Sequence, residues 1–211
     1  MEACVKEHVD CALSAQGFCP ARSIAVFEGN SSNVCLVIPD RPVRYSTLSY
    51  CWGSSIQSTT TRDNLSRCHV CLEISNLPKT LQDAITITRE LCVDYLWIVS
   101  ICILQDDVED RAREFSRTAD IYSSAHVVLA VTATVGCDQG FVHSHMPPLV
   151  IQHTKRIGES FAVHARRNNS HGCDLDATND KLALYQRGWC MQGHLLARRI
   201  VHIVPDEIMF E

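Results

Sequence analysis

A chain of 211 residues with 46% hydrophobic and 20% charged residues has the composition of an ordinary globular domain, long enough to bury roughly 70% of the surface its unfolded form exposes. A formal net charge of −5 with no long basic run excludes a binder of phosphate backbones, so nucleic acid is not expected as a partner. The opening MEACVKEHVDCALSAQGF lacks the apolar core of a leader, and no stretch approaches the roughly 18 apolar residues of a membrane span, so the expected setting is soluble and cytoplasmic.

In chain order, SIAVFE (23–28), VCLVI (34–38) and YSTLSY (45–50) are short apolar or alternating runs separated by the turn-forming GNSSN and PDRP, which predicts a small N-terminal β-meander. LPKTLQDAITITRELC then sets Leu81, Ala84, Ile85, Thr88 and Leu91 on one face, with Pro78 in the first turn where its missing N–H costs nothing. This predicts a packed helix over 79–92. YLWIVSICIL (95–104) is continuously apolar and rich in β-branched and aromatic residues, the pattern of a central strand covered on both faces. QDDVEDRAREFSRTADIYSSA follows, with Val108, Ala112, Phe115, Ala119 and Tyr122 in a stripe behind an acidic first turn, predicting a helix over 107–122 that turns Phe115 toward the sheet. HVVLAVTAT (126–134) reads as a further buried strand. Loops are expected from Gly136 to about Asp180, apart from a strand at SFAVHA (160–165); a short helix within 185–199 and a strand at RIVHIV (199–204) close the chain. Alternating strands and helices give an α/β class with a mainly parallel sheet flanked by helices, an extra N-terminal meander and an irregular C-terminal part.

Twelve cysteines stay below the density of a disulfide scaffold, and they sit in apolar segments (Cys35, Cys92, Cys102) as often as in loops, so most read as buried thiols. Cys68 and Cys71, in CHVC with His69, form half of a zinc-ligand spacing; Cys137, His143 and His145 are the nearby candidates for the other half. Buried thiols are the expected reading, with no metal.

Four ordered blocks carry a resemblance: YSTLSYCWG (45–53), LPKTLQDAI (77–85), YLWIVSICILQDD (95–107) with IYSSA (121–125), and RGWCMQGHLLARR (187–199). Together they resemble the heterokaryon-incompatibility (HET) domain of filamentous fungi from about Pro20 to Ile203. The resemblance implies an extension at 1–19, the domain at 20–204 and a tail at 205–211. It further implies a module of non-self recognition that triggers programmed cell death through protein partners or self-association. That family has been likened to Toll/interleukin-1 receptor (TIR) domains, some of which cleave NAD, which implies a TIR-like or flavodoxin-like three-layer fold and NAD as an alternative ligand or substrate; no cofactor is otherwise expected.

The chain departs from the family at two positions, where Val99 and Gly193 stand in place of the acids of a W-I-D and a Q-E block. A carboxylate is the usual group to stabilise an oxocarbenium-like state, so NAD cleavage is expected to be weak or lost. The remaining matched positions are Tyr50, Trp52, Gly53, Ser100, Cys102, Gln105, Asp106, Asp107, Arg187, Trp189 and Gln192. Trp52 and Trp189 could stack on a planar ligand or fill the core, and Gly53 suits a positive φ where the chain leaves its strand. Cys102 reads as a buried thiol before a nucleophile. Gln105, Asp106 and Asp107 are expected to end the central strand, where ligands bind in open parallel sheets, although an acid pair equally caps the following helix. Arg187 could clamp a phosphate or one of these carboxylates.

Overall fold

A computed structural model describes residues 18–27, 31–53, 58–132, 134–142, 149–154, 160–165, 184, 193–204 and 207–210. Eight strands make its central sheet: β1 (Ser23–Ala25), β2 (Asn33–Val37), β3 (Tyr45–Ser49), β4 (Leu72–Glu73), β5 (Tyr95–Trp97), β6 (Val127–Val131), β9 (Ile200–Val204) and β10 (Glu207–Phe210). β7 (Leu149–Thr154) and β8 (Ser160–Ala165) form a separate antiparallel pair. The large sheet is mixed, in the order β10-β9-β6-β3-β5-β1-β2-β4. Four neighbours, β9, β6, β3 and β5, run parallel, with Thr47 opposite both Trp97 and Val128. Antiparallel strands flank this block on both sides. Every residue of β3 and β6 is buried, including the polar Ser46, Thr47 and Ser49. Cover on both faces removes the alternation that half-exposed strands show.

Helices α1 (Leu65–Val70), α2 (Lys79–Glu90), α3 (Val99–Cys102), α4 (Val108–Ser116) and α5 (Thr118–Ser124) flank the sheet. α2 follows its predicted phase: Leu81, Ala84, Ile85 and Thr88 are buried.

Five expectations need correction. The sheet is mixed rather than mainly parallel, and the N-terminal strands form no meander: β1 and β2 pair as a hairpin, but β5 stands between β1 and β3. The central strand ends at Trp97, and residues 99–102 coil into α3. An apolar run cannot tell a buried helix from a buried strand, and here side chains decide. The Gln105 amide donates to the carbonyls of Val99 and Ile103 at 2.9 and 3.0 Å, and Arg22 Nε donates to that of Cys102 at 2.7 Å. The helix over 107–122 breaks at Arg117, and α4 presents a different face from the one expected. Val108 is 73% and Phe115 36% exposed, whereas Asp110 and Glu114 are buried. Lastly, the strand expected at 160–165 is present as β8, but β7 stands where loops were expected, and Glu207–Phe210 extends the sheet along β9.

Candidate functional site

The C-terminal ends of β3, β5 and β6 point the same way, and described residues of the first and third family blocks meet there. Tyr50 leaves β3 buried, and its hydroxyl donates to Ser100 Oγ at 3.0 Å in α3. Burial raises the Tyr50 phenol well above its ordinary value, so this hydroxyl serves as a hydrogen-bond donor and not as a base. Trp97, at the end of β5, meets the Tyr122 ring edge-on at 6.0 Å between centroids. Gly193 lies against the other side of the arrangement: a Cβ there would stand 3.0 Å from Tyr122 Cε1. Val99 thus starts α3 two residues after Trp97, and Gly193 covers the tyrosine that Trp97 touches. Trp52 is half-buried and packs against the core.

Gly53 has φ +73°, and a Cβ there would stand 2.8 Å from Gly136 Cα, closer than atoms pack. It therefore lets the loop after β3 touch the loop after β6. That second loop is held from its far side by α2. Thr80 N–H donates to Cys137 O at 2.9 Å, and Asp83 Oδ2 accepts the N–H groups of Phe141 and Val142 at 2.7 and 3.0 Å. Lys79 completes the Asp83 ion pair. The LPKTLQDAI block is thus an anchor for the loop 134–142, a role the helical periodicity did not disclose. Asp83 is a residue that sequence reasoning missed; an acid set among the apolar positions Leu81, Ala84 and Ile85 was the available signal.

Gln105, Asp106 and Asp107 do not end a strand, because β5 stops at Trp97. Asp107 caps α4, accepting the N–H groups of Glu109 and Asp110 at 3.0 and 3.1 Å, and takes the Arg62 guanidinium at 2.8 Å. Those backbone bonds and Arg62 hold its carboxyl below the usual range. Asp106 accepts the Arg62 backbone N–H at 3.0 Å. Thr60 links the same turns, donating its N–H to Ser100 O and accepting that of Gln105. Capping and loop anchorage are the roles the geometry gives this acid pair. Cys102 lies in α3, not mid-strand; its sulfur accepts the Ile98 N–H at 3.5 Å, and burial pushes its thiol up to about 12. That is an inert thiol.

Beneath this surface lies a charged node that the apolar stripe concealed. Asp110 pairs with Arg22 and Arg113 and accepts the Leu104 N–H at 2.9 Å. Burial pushes its carboxyl up, but these partners outweigh burial and hold it below its ordinary value. Glu114, wholly buried, has Arg113 and Arg117 nitrogens 3.7 Å from Oε1, and burial raises it.

Arg187, Trp189 and Gln192 lie outside the described residues, as do His143 and His145. Among the described residues, no group of three His, Cys, Asp or Glu side chains could hold a metal ion. Cys68 faces Asn64 Oδ1 at 3.6 Å and the Thr60 hydroxyl at 3.9 Å, while His69 Nδ1 meets Leu36 O at 2.7 Å. No helix among the described residues is long and apolar enough to cross a membrane.

The fold defines an α/β domain with a parallel centre, in which Tyr50 and Gly53 pack loops together in a crest at the strand ends. The family model described as heterokaryon incompatibility protein (HET) matches residues 45–193, and the chain belongs to that family. It is also similar to "Heterokaryon incompatibility protein 6, OR allele" of Neurospora crassa, with 37% identity over 95 residues, 42% of this chain and 14% of that protein. The chain therefore aligns with only a small part of that relative's length. No solved structure matches it.

Proposed function

We propose that this chain is a signalling and interaction module of fungal non-self recognition, which triggers programmed cell death in the cytoplasm through protein partners or self-association. The observation that carries this reading is the HET match over residues 45–193, which takes in both the crest and its α2 anchor. The roles of Tyr50, Gly53, Asp83 and Asp107 suit the reading, since each holds loops in place. Induced expression in a filamentous fungus, scored by vital-dye uptake, tests it. Death of expressing cells, lost when Gly53→Val drives the two loops apart, is expected; normal growth at verified protein levels would refute it.

A TIR-like NAD hydrolase is the second reading, favoured by the parallel block with motif residues at its strand ends. Val99 and Gly193 carry no ionisable group where the family's acids stand, and losing one such electrostatic group typically costs on the order of a hundredfold in rate. Little or no NAD turnover is therefore expected. Chromatography of NAD incubated with the parent and with the double substitution Val99→Asp, Gly193→Glu checks this, and robust turnover by the parent would overturn it. The Tyr122 ring must shift by a few tenths of an ångström to admit any side chain in place of Gly193, so folding of the double variant is verified first by circular dichroism.

A further inference from the structure

At the sheet edge opposite β10, two cysteines lie one step beyond the paired residues of β2 and β4. β2 and β4 pair Asn33 with Glu73 and Val34 with Leu72, and one step outward the Ile74 N–H donates to Ser32 O at 2.9 Å. Antiparallel ladders alternate bonded and non-bonded pairs. With 32/74 bonded, 34/72 is bonded, and 33/73 and 35/71 are not. Cys71 lies one residue beyond the last paired position, Leu72, and its backbone is extended, with φ −161° and ψ 129°. Its N–H turns away to Arg67 O at 2.9 Å, as a non-bonded position requires. Cys35 sits opposite Ala25 of β1 on its other side.

Extending this register by one step makes Cys35 and Cys71 the next opposed pair, on the face that Asn33 and Glu73 share. Non-bonded pairs bring Cα atoms to about 4.5 Å, inside the span of about 4.4–6.8 Å that a disulfide bridges. Both are reduced thiols and both are half-buried. The bond from His69 Nδ1 to Leu36 O at 2.7 Å ties α1 to β2 independently and keeps the two strands in place.

We propose that Cys35 and Cys71 form a cross-strand disulfide when the chain meets hydrogen peroxide, a modification site that locks the β4 edge to the rest of the sheet. One thiolate attacks a peroxide oxygen, the O–O bond breaks, and a sulfenic acid forms as hydroxide leaves and is protonated to water. The second thiolate attacks the sulfenic sulfur; the S–O bond breaks, the S–S bond forms, and the departing hydroxide becomes a second water. Each sulfur gives up one electron, and the two peroxide oxygens take them. The closed loop contains β3, the Tyr50–Gly53 crest segment and α1, so oxidation at the edge tightens the segment that carries the first family block. Closing a loop of about 37 residues raises Tm by on the order of 10 °C.

The test treats the purified full chain with hydrogen peroxide or with dithiothreitol, blocks remaining thiols, digests without reduction and maps peptides by mass. The expected product joins the Cys35 and Cys71 peptides with a loss of two hydrogens, accompanied by a rise in Tm that dithiothreitol reverses. Cys35→Ser and Cys71→Ser each abolish both effects, whereas Cys92→Ser, at an exposed cysteine outside the pair, retains them. Recovery of Cys35 and Cys71 as separately blocked thiols, their conversion to sulfinic acids without a bridge, or preferential links to other cysteines would overturn the proposal. The peptide map of the unaltered chain decides the matter even if a serine variant folds poorly.

Discussion

Helices α2 and α4 look alike in sequence, each with apolar residues three and four apart, yet they are held in opposite ways. α2 buries Leu81, Ala84 and Ile85 against the core. α4 turns Val108 and Phe115 outward and buries Asp110 and Glu114. One helix is bound by apolar area, the other by an ion pair with an arginine that precedes β1 far away in sequence. A stripe of apolar residues indicates a buried face only if no distant charge claims a different one.

The contrast breaks most visibly at Arg22. Arg22→Ala leaves Asp110 buried beside a single, largely exposed Arg113 and is expected to cost about 3–5 kcal/mol in urea unfolding. Replacing both partners together, Arg22→Met with Asp110→Leu, is expected to recover most of that loss; equal instability of single and double variants would refute the pairing. On the apolar side, Leu81→Ala is expected to cost about 3 kcal/mol, by lost transfer energy plus the cavity left among well-packed neighbours.

A pH titration sharpens the electrostatic half. Burial, then Arg199 and Arg44, lower His126 from its ordinary 6.5 to about 4. Below pH 6.5 the unfolded chain takes up a proton that the folded chain refuses, so stability is lost as pH falls from about 6.5 to about 4. With solvent screening of a half-buried ring discounted, the loss is on the order of 2 kcal/mol. His126→Asn is expected to flatten this part of the curve, and an unchanged slope would remove His126 as its source. The smallest effect falls on α4's outer face: Phe115→Ala is expected to cost less than about 1 kcal/mol, and a loss near that of Leu81→Ala would show that Phe115 faces the sheet after all.

Local patterns in the sequence were sufficient for α2, β2, β3, β6 and β9, because each carries its own periodicity or a run long enough to need cover on both faces. They failed where a partner distant in sequence decides. Gln105 and Arg22 coil residues 99–102 into α3, and the insertion of β5 between β1 and β3 dissolves the expected meander. At the crest, Gly53 was legible as a positive-φ position, but its close approach to Gly136 was not, since the two loops lie far apart in sequence. Asp107 as a helix cap was legible from the acid-rich first turn; the claim of Arg62 on the same carboxylate required the folded backbone.

The strand order also sets a timetable for synthesis. The β1–β2 hairpin can close as soon as Val37 has emerged, but β1 waits for Tyr95 to find its other neighbour, and β3 waits for both β5 and β6. The parallel block is completed only when Ile200–Val204 is made, so the nascent chain holds unpaired β6 edge through the translation of nearly seventy residues. Such non-local pairing folds slowly, so the nascent chain leaves sheet edge open to other chains that the finished domain has covered.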